Sequence, residues 1–359
     1  MNIAVLGFGT VGKGVYDIIT ENKLADINIL HILRKIGSDK VLPIITDNYD
    51  DIISDDNVDT VVECLGGLEP AHTYVVKALE AGKNVVSSNK LLVATYYDEL
   101  IELANKKNVY ILFESAVGGG IPCIENLFKV RAVDKVTRVR GIINATINFI
   151  LYKMAHDSVD FDVALKEAQR LGYAEQDPSS DVEGNDVLYK SIIIANVASV
   201  KSYEMDNILK FGVRFITKAD IDFFKENHMV CKLISEYDAE ENTIIVMPEL
   251  FYERDAIANV ILNNNYIDIY CKTEGKLSFE GQGAGRYPTA HSAVQDIVRI
   301  REKEKKKPYG LEKVKVKYQK FDDRFYVKRK GESIGKFIDG MTEDDLRKDD
   351  IAFLAKVSK

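Results

Sequence analysis

Apolar positions along this chain follow two rhythms. Within residues 1–120, short apolar runs lie at Ile3–Leu6, Ile27–Leu33, Thr60–Cys64, Asn84–Ser87 and Val109–Phe113, each bounded by glycine, asparagine or charge. Between them, apolar residues recur at helical spacing in Val11–Thr20, Pro70–Ala81 and Tyr97–Lys106. Pro70 suits a first helical position and Gly82 the position just past a helix end. Strands that alternate with helices predict βαβ units and a parallel sheet. After Pro122 the pattern changes. A helix is expected over Pro122–Arg131 and a strand over Val136–Ile143. Helices are then expected at Asn148–His156, Phe161–Leu171 and Ser180–Val200, followed by strands at Val230–Tyr237, Thr243–Leu250, Tyr266–Cys271 and Leu277–Gln282. The fold class is therefore α/β: a Rossmann-type parallel-sheet domain, then an α+β domain with a mixed or antiparallel sheet. The expected division is 1–127 plus about 283–305, 128–282, and a charged C-terminal extension, 306–359. The helix Pro288–Arg301 is expected to return to the first domain. The extension shows only weak strand signals, at Val314–Tyr318 and Arg324–Arg329, and is expected to be a hairpin packed on the body or partly mobile.

The length of 359 residues fits two such domains rather than one core. A net charge of −8 gives no basic footprint for nucleic acid or an anionic membrane. The basic run Arg299–Lys307 is broken by acids and reads as a solvated helix end. Four scattered cysteines form no C-x-x-C pair, so neither a disulfide framework nor a zinc site follows. The histidines show no metal spacing. With no apolar run of membrane-spanning length and no signal peptide, a reducing cytoplasm is the expected setting.

Gly7-Phe8-Gly9-Thr10-Val11-Gly12 follows the first strand and opens a helix. This G-x-G-x-x-G permits a tight turn, a backbone approach to a pyrophosphate and close helix–strand packing. A dinucleotide cofactor follows. The second strand ends in Arg34-Lys35 instead of the acid that would bind a free ribose hydroxyl. A guanidinium there suits a 2′-phosphate, which favours NADP, with NAD as the alternative.

Five blocks resemble homoserine dehydrogenase, in the family's order over about residues 1–300. They lie at 61–94 (VVECLGGLEPAHTYVVKALEAGKNVVSSNKLLVA), 113–127 (FESAVGGGIPCIENL), 141–154 (GIINATINFILYKM), 167–190 (EAQRLGYAEQDPSSDVEGNDVLYK) and 281–298 (GQGAGRYPTAHSAVQDIV). On residues alone, Asp186 and Lys190 stand at i, i+4 on one helix face, either as a structural pair or as an acid/base. A lysine on so apolar a face must lose its charge, pair or snorkel. Ser180 and Glu183 have the spacing of a capping box that would start this helix. The resemblance implies that Lys190 is the acid/base, that Asp181 and Asp186 complete the site and that Glu175 binds substrate. It implies that Lys90 meets cofactor and substrate, and that Gly283 and Gly285 lie near the cofactor. It further implies a sodium ion held by Glu114 with the carbonyls of Val117, Gly119 and Ile121, where the plain alternative is a glycine hinge. The implied reaction is hydride transfer between L-homoserine and L-aspartate 4-semialdehyde in a homodimer, with no nucleic-acid or membrane partner. Cys123, beside Pro122 on an apolar face, reads as structural rather than as a thiol nucleophile. The alternatives are a dehydrogenase of another amino-acid alcohol, an acylating enzyme, or a non-catalytic NAD(P)-binding regulator. A regulator has no reason to keep Glu175, Asp181, Asp186 and Lys190 together. The stretch past residue 300 is too short for a complete ACT domain, so no threonine-binding module is expected there.

Overall fold

The computed structural model describes residues 1–24, 26–35 and 42–358. Six strands, β1 (Asn2–Leu6), β2 (Asn28–Leu33), β3 (Ile45–Thr46), β4 (Thr60–Glu63), β5 (Asn84–Ser87) and β6 (Ile111–Leu112), form a parallel sheet in the order β3-β2-β1-β4-β5-β6. Strands β1 and β4 are almost wholly buried, which is why they read as continuous apolar runs instead of alternating ones. Ile3 and Val5 face one side, where Val15 and Ile19 of the helix Thr10–Glu21 meet Ala290, Ala293, Val294 and Ile297 of the helix Arg286–Arg301. The chain thus comes back, some 180 residues after β6, to finish the first core. Ala4 and Leu6 face the opposite core.

The second sheet runs in the order Gly275–Gln282, Asn264–Cys271, Val136–Ile142, Met229–Asp238, Thr243–Tyr252, Ile351–Val357, Phe321–Arg329 and Lys336–Met341. It is mixed: Ile351–Val357 and Leu209–Lys210 run parallel to Thr243–Tyr252, whereas the other neighbours are antiparallel. The helices Ala145–Asp157 and Asn185–Ser199 pack on one face.

One expectation for the later part of the chain is met and one needs correction. The segment 306–359 includes a hairpin packed on the body, Phe321–Arg329 with Lys336–Met341, and together with Ile351–Val357 it extends the second sheet by three strands. The buried run Phe325–Lys328 and the buried trio Phe353, Leu354 and Ala355 supply the packing that the surrounding charges concealed. Lys328 is itself buried, its ammonium paired with buried Asp220. The expected helix over 180–200 is broken at Gly184, whose φ of +77° ends the short helix Ser179–Val182 before Asn185–Ser199 begins. The capping box is absent there. Ser179 bonds to Asp177, and Glu183 pairs with Arg214.

Candidate active site

In the strand order β2-β1-β4 the winding direction reverses at β1 and β4, and an open parallel sheet offers a ligand crevice beyond such strand ends. A cleft of about 780 Å³ lies there, lined by Gly7, Phe8, Gly9, Arg34, Lys35 and Gly66 among others. Gly7 has φ +95°, and a Cβ on Gly12 would stand 2.0 Å from the Gly7 carbonyl oxygen, so helix start and turn touch as closely as backbone allows. Gly9 faces open space and leaves the helix Thr10–Glu21 without a side-chain cap. Its first-turn N–H groups are an anion cradle for the pyrophosphate. The residues present therefore fit a dinucleotide.

Glu63 at the end of β4 is fully buried and organises the far wall. Its carboxylate accepts the N–H groups of Leu65 and Gly66 and, at 2.6 Å, the hydroxyl of Ser87. Burial pushes its pKa up. Two residues beyond β5, Asn89 caps the helix Lys90–Thr95 by accepting from the Leu92 N–H and donates to the Gly67 carbonyl. Lys90 is thus set at the helix start, facing the second unit.

There it meets Asp186. The Lys90 Nζ lies 2.8 Å from Asp186 Oδ1, and the Lys190 Nζ donates to Asp186 Oδ2 at 2.7 Å. Lys190 also donates to the Ile143 carbonyl at 2.8 Å. An ammonium has three N–H groups, so Lys190 keeps one for another acceptor. Asn144, which caps the helix Ala145–Asp157, donates its side-chain amide to both Asp181 (2.7 Å) and Asp186 (2.8 Å). Burial alone would push the Asp186 carboxyl up, but Lys190 and Lys90 outweigh it and hold the pKa far below the usual range. The Lys90 ammonium is held above its ordinary value, chiefly by Asp186, against burial, with Asp181 and Glu175 adding to it. Burial and the neighbouring Asp186 charge raise the Asp181 carboxyl. Glu175 is exposed, yet close enough for Lys90 to feel its charge.

The structure brings Lys90, Asp181, Asp186 and Lys190 together and sets Glu175 at the rim. Sequence reasoning did not single out Asn144, Asn89 or Glu63. Asn144 and Asn89 carry a readable signal, an asparagine just before an apolar helix. Glu63 carries none, because its partners are loop N–H groups.

The glycine loop is tied into the fold through the same atoms that the sodium reading invokes. Both carboxylate oxygens of Glu114 accept N–H groups at the start of the helix Cys123–Arg131, from Ile124 at 2.9 Å and Glu125 at 2.7 Å. The Gly119 carbonyl accepts the Ser292 hydroxyl, and the Ile121 carbonyl accepts the Cys123 N–H. A carbonyl oxygen has two lone pairs and a carboxylate about four, so each of these groups keeps acceptor capacity beyond the one hydrogen bond it takes here. Among the described residues, no group of three or more His, Cys, Asp or Glu side chains is placed to hold a metal. Gly283 packs on this loop, and a Cβ there would strike Asn265. Cys123 is fully buried, which drives its thiol pKa well up, so it is no nucleophile.

Residues 7–114 match the family model described as homoserine dehydrogenase, NAD binding domain, and residues 122–298 match that of homoserine dehydrogenase. Homoserine dehydrogenase of Lactococcus lactis subsp. lactis (strain IL1403) is 38% identical over 323 residues, 85% of this chain and 75% of that protein. The crystal structure of a homoserine dehydrogenase from Thiobacillus denitrificans is similar with a TM-score of 0.88 at 28% identity, over 100% of this chain and 98% of that one. A hyperthermophilic archaeal homoserine dehydrogenase in complex with NADPH gives a TM-score of 0.71 at 26% identity, over 84% of this chain and 98% of that one.

Proposed function

The chain belongs to the homoserine dehydrogenase family, and from that premise we propose how its residues share the reaction. It is an NAD(P)-dependent oxidoreductase acting on a CH–OH group, and it interconverts L-homoserine and L-aspartate 4-semialdehyde. When bound, the nicotinamide takes up or returns the hydride. Reduction of the aldehyde places a proton on the new alcohol oxygen, and we assign that proton to the Lys190 ammonium through its uncommitted N–H; in the oxidation direction the neutral amine takes the hydroxyl proton back. The supporting observation is that Asp186 joins the two lysines, with one N–H of Lys190 still uncommitted. A lysine fixed by two acceptors is positioned before substrate arrives, which is most of what a proton-transfer group needs. Asp186 anchors both lysines. Asp181, tied to the same amide of Asn144, offers the next acceptor along a proton path. Lys90, at the mouth of the cofactor unit, orients substrate against the nicotinamide. Glu175, exposed at the rim, suits the substrate ammonium. Arg34 at the cleft wall suits a 2′-phosphate, so NADP is the preferred cofactor.

A homodimer fits the family resemblance and the strand Gly275–Gln282, an open edge of the second sheet. No helix among the described residues is long and apolar enough to cross a membrane, and the four cysteines are free, which accords with a reducing cytoplasm. The test of the whole reading is absorbance at 340 nm with homoserine, offering NAD and NADP separately. Homoserine-dependent reduction, faster with NADP, is expected. No turnover with either cofactor, in protein that binds NADPH, would sink it.

A further inference from the structure

Behind the active-site helix lies a second concavity of about 650 Å³, unconnected with the cofactor cleft. One wall is the segment 208–215 and the other is 346–354 together with Lys330. Five cations line it, Lys210, Arg214, Lys330, Arg347 and Lys348, against two carboxylates, Glu183 and Asp349. In a chain of net charge −8 such a concentration of positive charge is out of character. Three of the cations are answered: Arg214 by Glu183, Arg347 by Glu343 and Lys348 by Asp345. Among the described residues, Lys210 and Lys330 have no carboxylate within ion-pair distance. The Lys210 Nζ hydrogen-bonds the side-chain oxygen of Asn185, and burial lowers its pKa against the opposing charge of Glu183, which lies beyond ion-pair distance. The remaining walls are apolar, with Phe211, Ile351 and Phe353, and an apolar wall strengthens any charge interaction made beside it. The volume lies in the range of metabolite pockets.

We propose that this cavity binds a small oxyanion, a carboxylate or a phosphate, between Lys210 and Lys330, and that occupancy is felt at the active site. The route is short. Lys210 holds Asn185, the first residue of the helix that carries Asp186 and Lys190. The neighbouring backbone is equally tight: Val213 N–H donates to the Val182 carbonyl, and a Cβ on Gly212 would meet that same oxygen at 2.2 Å. An anion that draws Lys210 away from Asn185 therefore acts on the start of that helix. This coupling rests on the assignment of Lys190 and Asp186 above, whereas the binding itself does not.

The test is isothermal titration of the full chain with citrate and, separately, inorganic phosphate, at matched ionic strength so that general screening cancels. Saturable binding of at least one probe is expected, citrate alone marking a carboxylate site and phosphate alone a phosphate site. Lys330→Met, at an exposed position, should weaken binding roughly two- to fivefold and leave basal turnover intact. Lys210→Met should weaken it about tenfold or more. A saturating probe should shift the KM for homoserine at least twofold in the wild type, and in Lys330→Met the half-maximal shift should need about two- to fivefold more probe. No saturable binding, or equal affinity in wild type and both variants, overturns the site. Binding that leaves homoserine kinetics unmoved overturns the coupling.

Discussion

Lys190 and Asp186 form an i, i+4 pair whose members are almost out of solvent, at 12% and 4% side-chain exposure, and the charge is shared with a second lysine from the other unit. Removing one lysine therefore leaves the carboxylate paired, so Lys190→Ala should fold and still bind NADPH. Its turnover should fall about 10²- to 10⁴-fold, the usual contribution of a positioned acid/base. Wild-type kcat in that variant would reassign the proton. Arg34 should act on binding alone: Arg34→Ala should weaken NADP by roughly tenfold or more while barely touching NAD, through loss of a charge-assisted contact. Dissociation constants from fluorescence titration decide it, and equal losses for the two cofactors would remove Arg34 from phosphate recognition. The pair at 186 and 190 was legible in sequence because helical spacing alone sets it. Asn144 was readable only as a helix cap; its bridge was not, because the aspartates it joins lie 37 and 42 residues away.

Elements are held to one another here by buried charge as well as by apolar packing. The helix Lys218–Glu226 docks on the strand Phe321–Arg329 through Asp220, which accepts from Tyr326 at 2.6 Å and pairs with Lys328. Lys328→Met would leave the fully buried Asp220 charge without a cation, held only by neutral donors from Thr217 and Tyr326, at a cost of about 3–5 kcal/mol. Thermal unfolding should show a drop of several degrees, and an unchanged melting curve would mean that Asp220 finds another donor. A second junction joins β6, the helix Cys123–Arg131 and the helix Arg286–Arg301. The Glu114 carboxylate caps one helix, and Asp296 accepts the Glu114 N–H at 2.8 Å. Burial raises both carboxyls, aided at Glu114 by the Asp296 charge, which takes it to about 8, and at Asp296 by the Glu125 charge. The unfolded chain ionises them in the ordinary range while the folded chain still holds protons, so stability falls as pH rises from about 4.5 to about 8. The melting temperature of Asp296→Asn should decline less over that interval than that of the wild type, and parallel profiles would contradict the pairing. The parallel sheet could be read from its apolar runs, because strands covered on both faces must be apolar throughout. Strand 321–329 gave only a weak signal, at Arg324–Arg329, and strand 351–357 gave none, since each sets a short buried run among exposed charges. Helix 180–200 misled for another reason, as Gly184 takes a conformation that periodicity does not register.

The molecule as a whole is two large sheets joined through a shared apolar core, with Lys90 from one unit and Asp186 from the other paired across the contact. A solution mass twice the 40.4 kDa of one chain is expected from light scattering, and a single-chain mass across the micromolar range would exclude the homodimer. The helix Arg286–Arg301, which finishes the first core, has a consequence for how the protein is made. On the ribosome, β1 and the helix Thr10–Glu21 emerge early, with Ile3, Val5, Val15 and Ile19 still waiting for Ala290, Ala293 and Ile297. At roughly 5–20 residues per second, the wait from residue 112 to residue 300 lasts about 10–40 s. Through that interval the nascent nucleotide-binding unit shows one bare apolar face, a natural substrate for chaperones, and the complete cofactor unit exists only after most of its neighbour has been translated.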